Sequence, residues 1–226
     1  MPPMKKDPSP HDLAALVKAI LTRAREKEGF VTKTKLFKYL YLTDVEHYRR
    51  AGKSLTGFPW IFYHYGPWSQ ECEDFYSELK RCGEIQVKPG SRPDLETEFV
   101  DASEPQNLED VIEDVGLELA IRRIVDRWAD RALGEMLDYV YFYTEPMEGA
   151  EKGKPLDFSK VESHPEPRPV SLLKQTPNKA AVERMRKSIA EKKAAEPPSR
   201  REPFTPPPYD DVYFEALHIM EEDDGY

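Results

Sequence analysis

Lys35-Leu36-Phe37-Lys38-Tyr39-Leu40-Tyr41-Leu42-Thr43-Asp44, continued by Val45-Glu46-His47-Tyr48-Arg49-Arg50, is the stretch that decides the fold. Apolar or aromatic side chains fall at Leu36, Phe37, Tyr39, Leu40, Tyr41, Leu42, Val45 and Tyr48. At 3.6 residues per turn they surround much of a helix instead of striping one side of it, and such a helix belongs inside a core. The segment from about Thr34 to Arg50 therefore predicts a central helix, ended by Gly52 and followed by a turn at Leu55-Thr56-Gly57.

Upstream, Ser9-Pro10-His11-Asp12 has the form of a helix start, with Ser9 as cap and proline at the first helical position. Leu13, Leu16, Val17, Ile20, Leu21 and Ala24 follow on one face, and Gly29 is expected to close this helix. Downstream, Trp60 to Tyr65 is a short strand-like aromatic run stopped by Gly66-Pro67. Ser69 can cap a third helix with Cys72, Phe75, Tyr76 and Leu79 on its stripe, and Gly83 stops it. Two brief strands, Ile85 to Val87 and Leu95 to Val100, flank a turn-rich connection. Asn107 then caps one long helix carrying Val111, Val115, Leu119, Ile124 and Trp128, and a last helix shows Leu133, Met136, Leu137, Val140 and Tyr141.

The expected fold class is mainly α: a compact helical domain with a small β-hairpin (α+β, in winged-helix-like order) and an extended Pro-rich C-terminal tail. The expected organisation is an extension over 1–9, a domain over 10–160 and a tail over 161–226. About half of the 21 prolines lie from Pro155 onward, a composition that cannot offset its own ordering entropy. Two islands interrupt it: a basic helix candidate, Asn178 to Lys193, and the strongly acidic run Tyr209 to Tyr226. In the latter Val212, Tyr213, Ala216, Leu217 and Met220 would share a face.

Charged residues make up 33% of the chain and the net charge is −9, which repels phosphate backbones and favours a basic partner. No run approaches the roughly 18 apolar residues of a membrane span, and Met1 to Pro10 lacks a signal-peptide core, so a cytoplasmic protein is expected. Cys72 and Cys82 sit about 15 Å apart on a helix, beyond disulfide reach.

Chemistry is sparse. GxGxxG, GxxxxGK[ST], GxSxG and HExxH are all absent. Asp44 and His47, three apart on a helix, could share an ion or a water, but two ligands do not make a site and a structural role is the better reading. Cys72 near a helix start could be a nucleophile, yet it lies on the apolar stripe, where a core cysteine is favoured. Trp60, Phe62, Tyr63, His64, Tyr65 and Trp68 could stack nucleobases, but few basic residues lie among them, so core packing with a protein-contact rim is preferred. Glu109-Asp110 and Glu113-Asp114 read as a solvated helix face. Three helices and a hairpin suggest a winged helix, but Glu71, Glu73, Asp74 and Glu78 crowd the helix that would enter a groove, and only Arg184 to Lys187 supports duplex DNA.

The block from Lys35 to Asp44, with His47, Arg50, Gly52 and Leu55-Thr56-Gly57, resembles the Panacea domain of SocA-like antitoxins. Tyr65-Gly66-Pro67 is similar to that family's aromatic-Gly-Pro turn, and Thr144-Glu145-Pro146 with Gly153 to its closing region. The resemblance covers roughly residues 10 to 160; the long tail departs from the pattern, and so does the absence of a histidine near Glu145. It implies an antitoxin that silences a co-expressed protein toxin by direct binding and, in some relatives, presents it to a protease. The motif residues it marks are Lys35, Leu36, Tyr39, Leu40, Tyr41, Asp44, His47, Gly52, Leu55, Thr56, Gly57, Tyr65, Gly66 and Pro67.

The expected mechanism is stoichiometric inhibition without catalysis, cofactor or metal. Tyr65, Pro67 and Trp68 would present a preformed surface, and the acidic tail would anchor a basic toxin through Phe204, Tyr209, Tyr213, Phe214 and Leu217. The rivals are a tail that packs on its own domain or on a second copy as a homo-oligomer, a DNA-binding transcriptional regulator, and a proteolytic adaptor.

Overall fold

The structure, a computed structural model, describes residues 10–64, 66–90 and 97–162. In chain order these form α1 (Pro10–Glu26), α2 (Lys33–Ala51), β1 (Ile61–Tyr63), β2 (Gly66–Trp68), α3 (Gln70–Cys82), β3 (Ile85–Pro89), β4 (Glu98–Ala102), α4 (Leu108–Val111), α5 (Val115–Trp128) and α6 (Leu133–Tyr143). Single 3₁₀ turns follow at Glu145–Met147 and Phe158–Lys160. The described part is mainly helical with two small antiparallel hairpins. The N-terminal extension with Ser9, and the tail with both of its helix candidates, lie outside the described residues.

Helix α2 is the axis of the fold. Every side chain from Lys35 to Val45 is buried, and α1, α5, α6, β2 and β4 all pack on it. Its ends are set locally: the Thr32 hydroxyl accepts the Lys35 amide, and Gly52 takes the left-handed conformation with its N–H on the Tyr48 carbonyl. The same devices frame α3, where Ser69 accepts the Cys72 amide and Gly83 closes the last turn.

Three expectations change. Gly29 does not carry the left-handed residue after α1; Glu28 does, at φ 57°. Gly29 is needed for a different reason: the Ala129 carbonyl lies where its Cβ would be, so two backbones meet directly there. Gly66-Pro67 does not stop a strand but begins one, because β1 and β2 pair as a hairpin with Phe62 opposite Pro67. The single long helix from Asn107 is broken at Ile112, and the Asp114 carboxylate caps α5 by accepting the Leu117 amide at 2.9 Å. The break re-phases the face, so Leu117, Ile121, Val125 and Trp128 are buried while Val115 and Leu119 are exposed.

The second hairpin pairs Ile85 with Ala102 through Pro89 with Glu98, and β4 is joined to the segment before α2 by the Val100 amide on the Val31 carbonyl. The segment after α6 completes the first hairpin. The Gly153 amide donates to the Phe62 carbonyl, the Phe62 amide to the Lys154 carbonyl and the Leu156 amide to the Trp60 carbonyl, at 2.7–3.0 Å. Phe158 then lays its ring against Tyr41 and Tyr48 of α2.

Candidate functional site

The polar members of the Lys35–Asp44 block are buried, and four of them, Lys35, Lys38, Tyr41 and Asp44, tie α2 to distant pieces of chain, while the Thr43 hydroxyl has no hydrogen-bond partner among the described residues. The Lys35 ammonium donates to the Ala129 and Arg131 carbonyls, at 3.1 and 2.8 Å, neutralising the C-terminal end of α5. The Lys38 ammonium donates to the Pro67 carbonyl at 2.8 Å and so holds β2. Tyr41 shares a hydrogen bond with the Thr144 hydroxyl, which in turn donates to the Val140 carbonyl at the end of α6. Leu36, Tyr39 and Leu40 fill the core, and the Tyr39 hydroxyl has no hydrogen-bond partner among the described residues.

Asp44 is fully buried and is the hub of the next turn. Its carboxylate accepts the Leu55 and Thr56 amides at 2.8 and 2.7 Å, the Thr56 hydroxyl, and the Trp60 indole N–H at 2.7 Å. Burial raises this carboxyl above its ordinary range, and the Thr56 and Trp60 donors pull against that rise. His47 does not converge with it, because its Nδ1–H donates to the Lys53 carbonyl at 2.7 Å. Both residues therefore shape the Gly52-to-Gly57 turn, and Gly57 supplies its positive φ. Among the described residues no group of three or more His, Cys, Asp or Glu could hold a metal ion.

Burial lowers the Lys38 ammonium to about 7, since one carbonyl is a poor replacement for bulk water. Cys72, fully buried, has its thiol pushed up by burial and by the nearby Asp44 charge, which leaves it a core side chain rather than a nucleophile. Gly66 takes φ 89°, and a Cβ there would meet the Tyr141 ring at 2.9 Å. That ring is fixed by its hydroxyl donating to the His64 carbonyl.

The surface expected around Tyr65, Pro67 and Trp68 is smaller than the motif implied. Pro67 is buried and its carbonyl is occupied by Lys38, so it leaves the contact set. Trp68 is half-buried with its ring 5.2 Å from that of Tyr63, and Tyr63 is exposed. Tyr65 lies outside the described residues, as do Phe204, Tyr209, Tyr213, Phe214 and Leu217.

A second feature was not read from the sequence. Between the C-terminal half of α2 and the facing sides of α5 and α6 lies a groove of about 340 Å³. Arg49, Arg50, Arg123 and Arg127 line it against one carboxylate, Glu46, while Glu145 reaches Arg49 with both oxygens at 2.7 and 2.9 Å. Two cations remain in excess, four arginines against two glutamates. Arg123 and Arg127 are exposed and form no ion pair among the described residues. The Arg127 guanidinium lies 4.7 Å from the Trp128 ring and 4.3 Å from that of Tyr139, and Tyr139 is stacked on Tyr143 with 13° between planes. The only sequence signal was a pair of one-turn repeats, Arg123/Arg127 and Tyr139/Tyr143.

Residues 36–145 match the family model described as antitoxin SocA-like, Panacea domain. The chain carries a Panacea domain. No curated protein and no solved structure matches it. The matched span runs from the second residue of the Lys35–Asp44 block to Glu145, so it takes in the Asp44 hub, the Lys38 tie to Pro67 and the residues of the groove. No helix among the described residues is long and apolar enough to cross a membrane.

Proposed function

We propose that this Panacea protein is an antitoxin that neutralises a co-expressed protein toxin by direct binding in the cytoplasm, without catalysis. The match over residues 36–145 carries this reading. A rigid, motif-locked core supports it, because a stoichiometric inhibitor gains from a surface that loses little entropy on contact. The exposed Tyr63 and half-buried Trp68 offer an aromatic contact on the first hairpin, and Phe204, Tyr209, Tyr213, Phe214 and Leu217 serve as anchors in an acidic tail that meets basic toxin surface. Binding to duplex DNA is disfavoured by Glu71, Asp74 and Glu78, all exposed along α3.

The test is to express the neighbouring reading frame alone and with this chain. Growth arrest relieved only by the chain, with the two products co-purifying, is the expected result. A neighbour that is harmless alone, or one still toxic beside an excess of this chain, overturns the reading.

A further inference from the structure

We infer that the arginine and aromatic groove between α2, α5 and α6 is the docking site for this chain's own acidic segment, Tyr209 to Tyr226. Charge makes the first argument. The segment holds seven Asp and Glu and no Lys or Arg, so −7 of the net −9 belongs to it and the other residues together carry only −2. The groove has the opposite sign, with Arg123 and Arg127 left without carboxylate partners among the described residues. An acidic strand laid across them gains charge-assisted hydrogen bonds.

The apolar chemistry matches as well. Tyr143 is 70% exposed although its ring already stacks on Tyr139, the ring over which the Arg127 guanidinium lies. Tyr209, Tyr213 and Phe214 are interleaved with Asp210, Asp211 and Glu215, so the segment brings rings and carboxylates together, as the groove does rings and guanidinium groups. Reach is ample. The described chain ends at Glu162, just past Phe158, which packs on Tyr48 beside Arg49. The 47 residue steps from there to Tyr209 could reach at most about 155 Å fully extended, and tethering gives an effective concentration on the order of millimolar. A weak contact is then enough to keep the groove filled. The inference does not depend on the toxin reading; where both hold, a basic partner competes with the groove for the same segment.

The test is arginine modification of the full chain by phenylglyoxal, with rates read residue by residue by mass spectrometry. The reference chain is compared with a variant carrying Tyr213→Ala, Phe214→Ala, Glu221→Gln, Glu222→Gln, Asp223→Asn and Asp224→Asn. Arg123 and Arg127 are expected to react at least fivefold faster in the variant, while Arg81 on α3 is unchanged. A synthetic peptide of residues 209–226 should restore protection to the variant, and 0.5 M salt should remove it from the reference chain. Equal rates in the two proteins overturn the inference. Protection that falls on tenfold dilution also overturns it, because the groove is then filled by a second copy.

Discussion

Helix α2 has two halves that do different work. From Lys35 to Val45 every side chain is buried; from Glu46 to Ala51 none is, and Arg49 and Arg50 turn outward to wall a groove. The first half holds the recognisable block, and its polar groups are spent inside the fold: Lys35 on the end of α5, Lys38 on β2 and Asp44 on the turn at Leu55-Thr56. The second half carries Arg49 and Arg50, which pair with Glu46 and Glu145 along the wall of the groove. The contrast teaches that the residues by which this family is recognised build the scaffold. The cations of the groove that form no ion pair among the described residues, Arg123 and Arg127, lie outside the Lys35–Asp44 block.

Asp44→Ala should separate the halves most sharply. It strips four donors of their acceptor at a fully buried site, so a loss of roughly 3–5 kcal/mol is expected in denaturant unfolding. A loss under about 1 kcal/mol would place the hub outside the scaffold. Gly66→Ala should cost about 1–3 kcal/mol, from a positive φ and a contact with Tyr141. Thermal melting reads it, and an unchanged midpoint would show that the hairpin is not held against α6.

Lys38 gives a pH test. Its folded value near 7 lies below the unfolded 10.5, so the penalty for charging it is fully present below pH 7 and is relieved as pH rises. Stability should climb between pH 7 and 9 with a slope of up to about 1.4 kcal/mol per unit, and Lys38→Met should remove that slope. Parallel profiles for the two proteins would mean that Lys38 is not buried as a lone ammonium. In the outer half, Arg123→Gln should change stability by no more than about 0.5 kcal/mol, since it breaks no ion pair among the described residues. A larger loss by the same melting assay would erase the distinction drawn here.

The scaffold was largely legible from the sequence because its signals are local. The all-round apolar character of α2, the Ser69 and Gly83 ends of α3 and the existence of a hairpin after α3 follow from propensity and period, although its strands, expected over Ile85 to Val87 and Leu95 to Val100, run over Ile85–Pro89 and Glu98–Ala102. Errors arose where tertiary contact overrode a local sign. Gly29 does close α1, with its amide on the Ala24 carbonyl, but the need for glycine there comes from the approach of the Ala129 backbone; Gly66-Pro67 looks like a strand end but starts β2, because Lys38 and Tyr141 hold both sides of it. The helix break before Asp114 was masked by apolar residues that continue the period across it. The groove was the least legible feature. Arg49 and Arg127 lie 78 positions apart in the chain and meet only because α2 and α5 cross.

The segment from Gly153 to Leu156 lies past the last residue of the family match, yet it supplies the outer edge of the first hairpin, and Phe158 behind it seals Tyr41. A fragment trimmed at Glu145 would leave the Trp60 carbonyl and the Phe62 amide and carbonyl bare and would open one end of the central helix to water. The packed core of this chain therefore runs past both ends of the matched span, through α1 before it and through Phe158 after it.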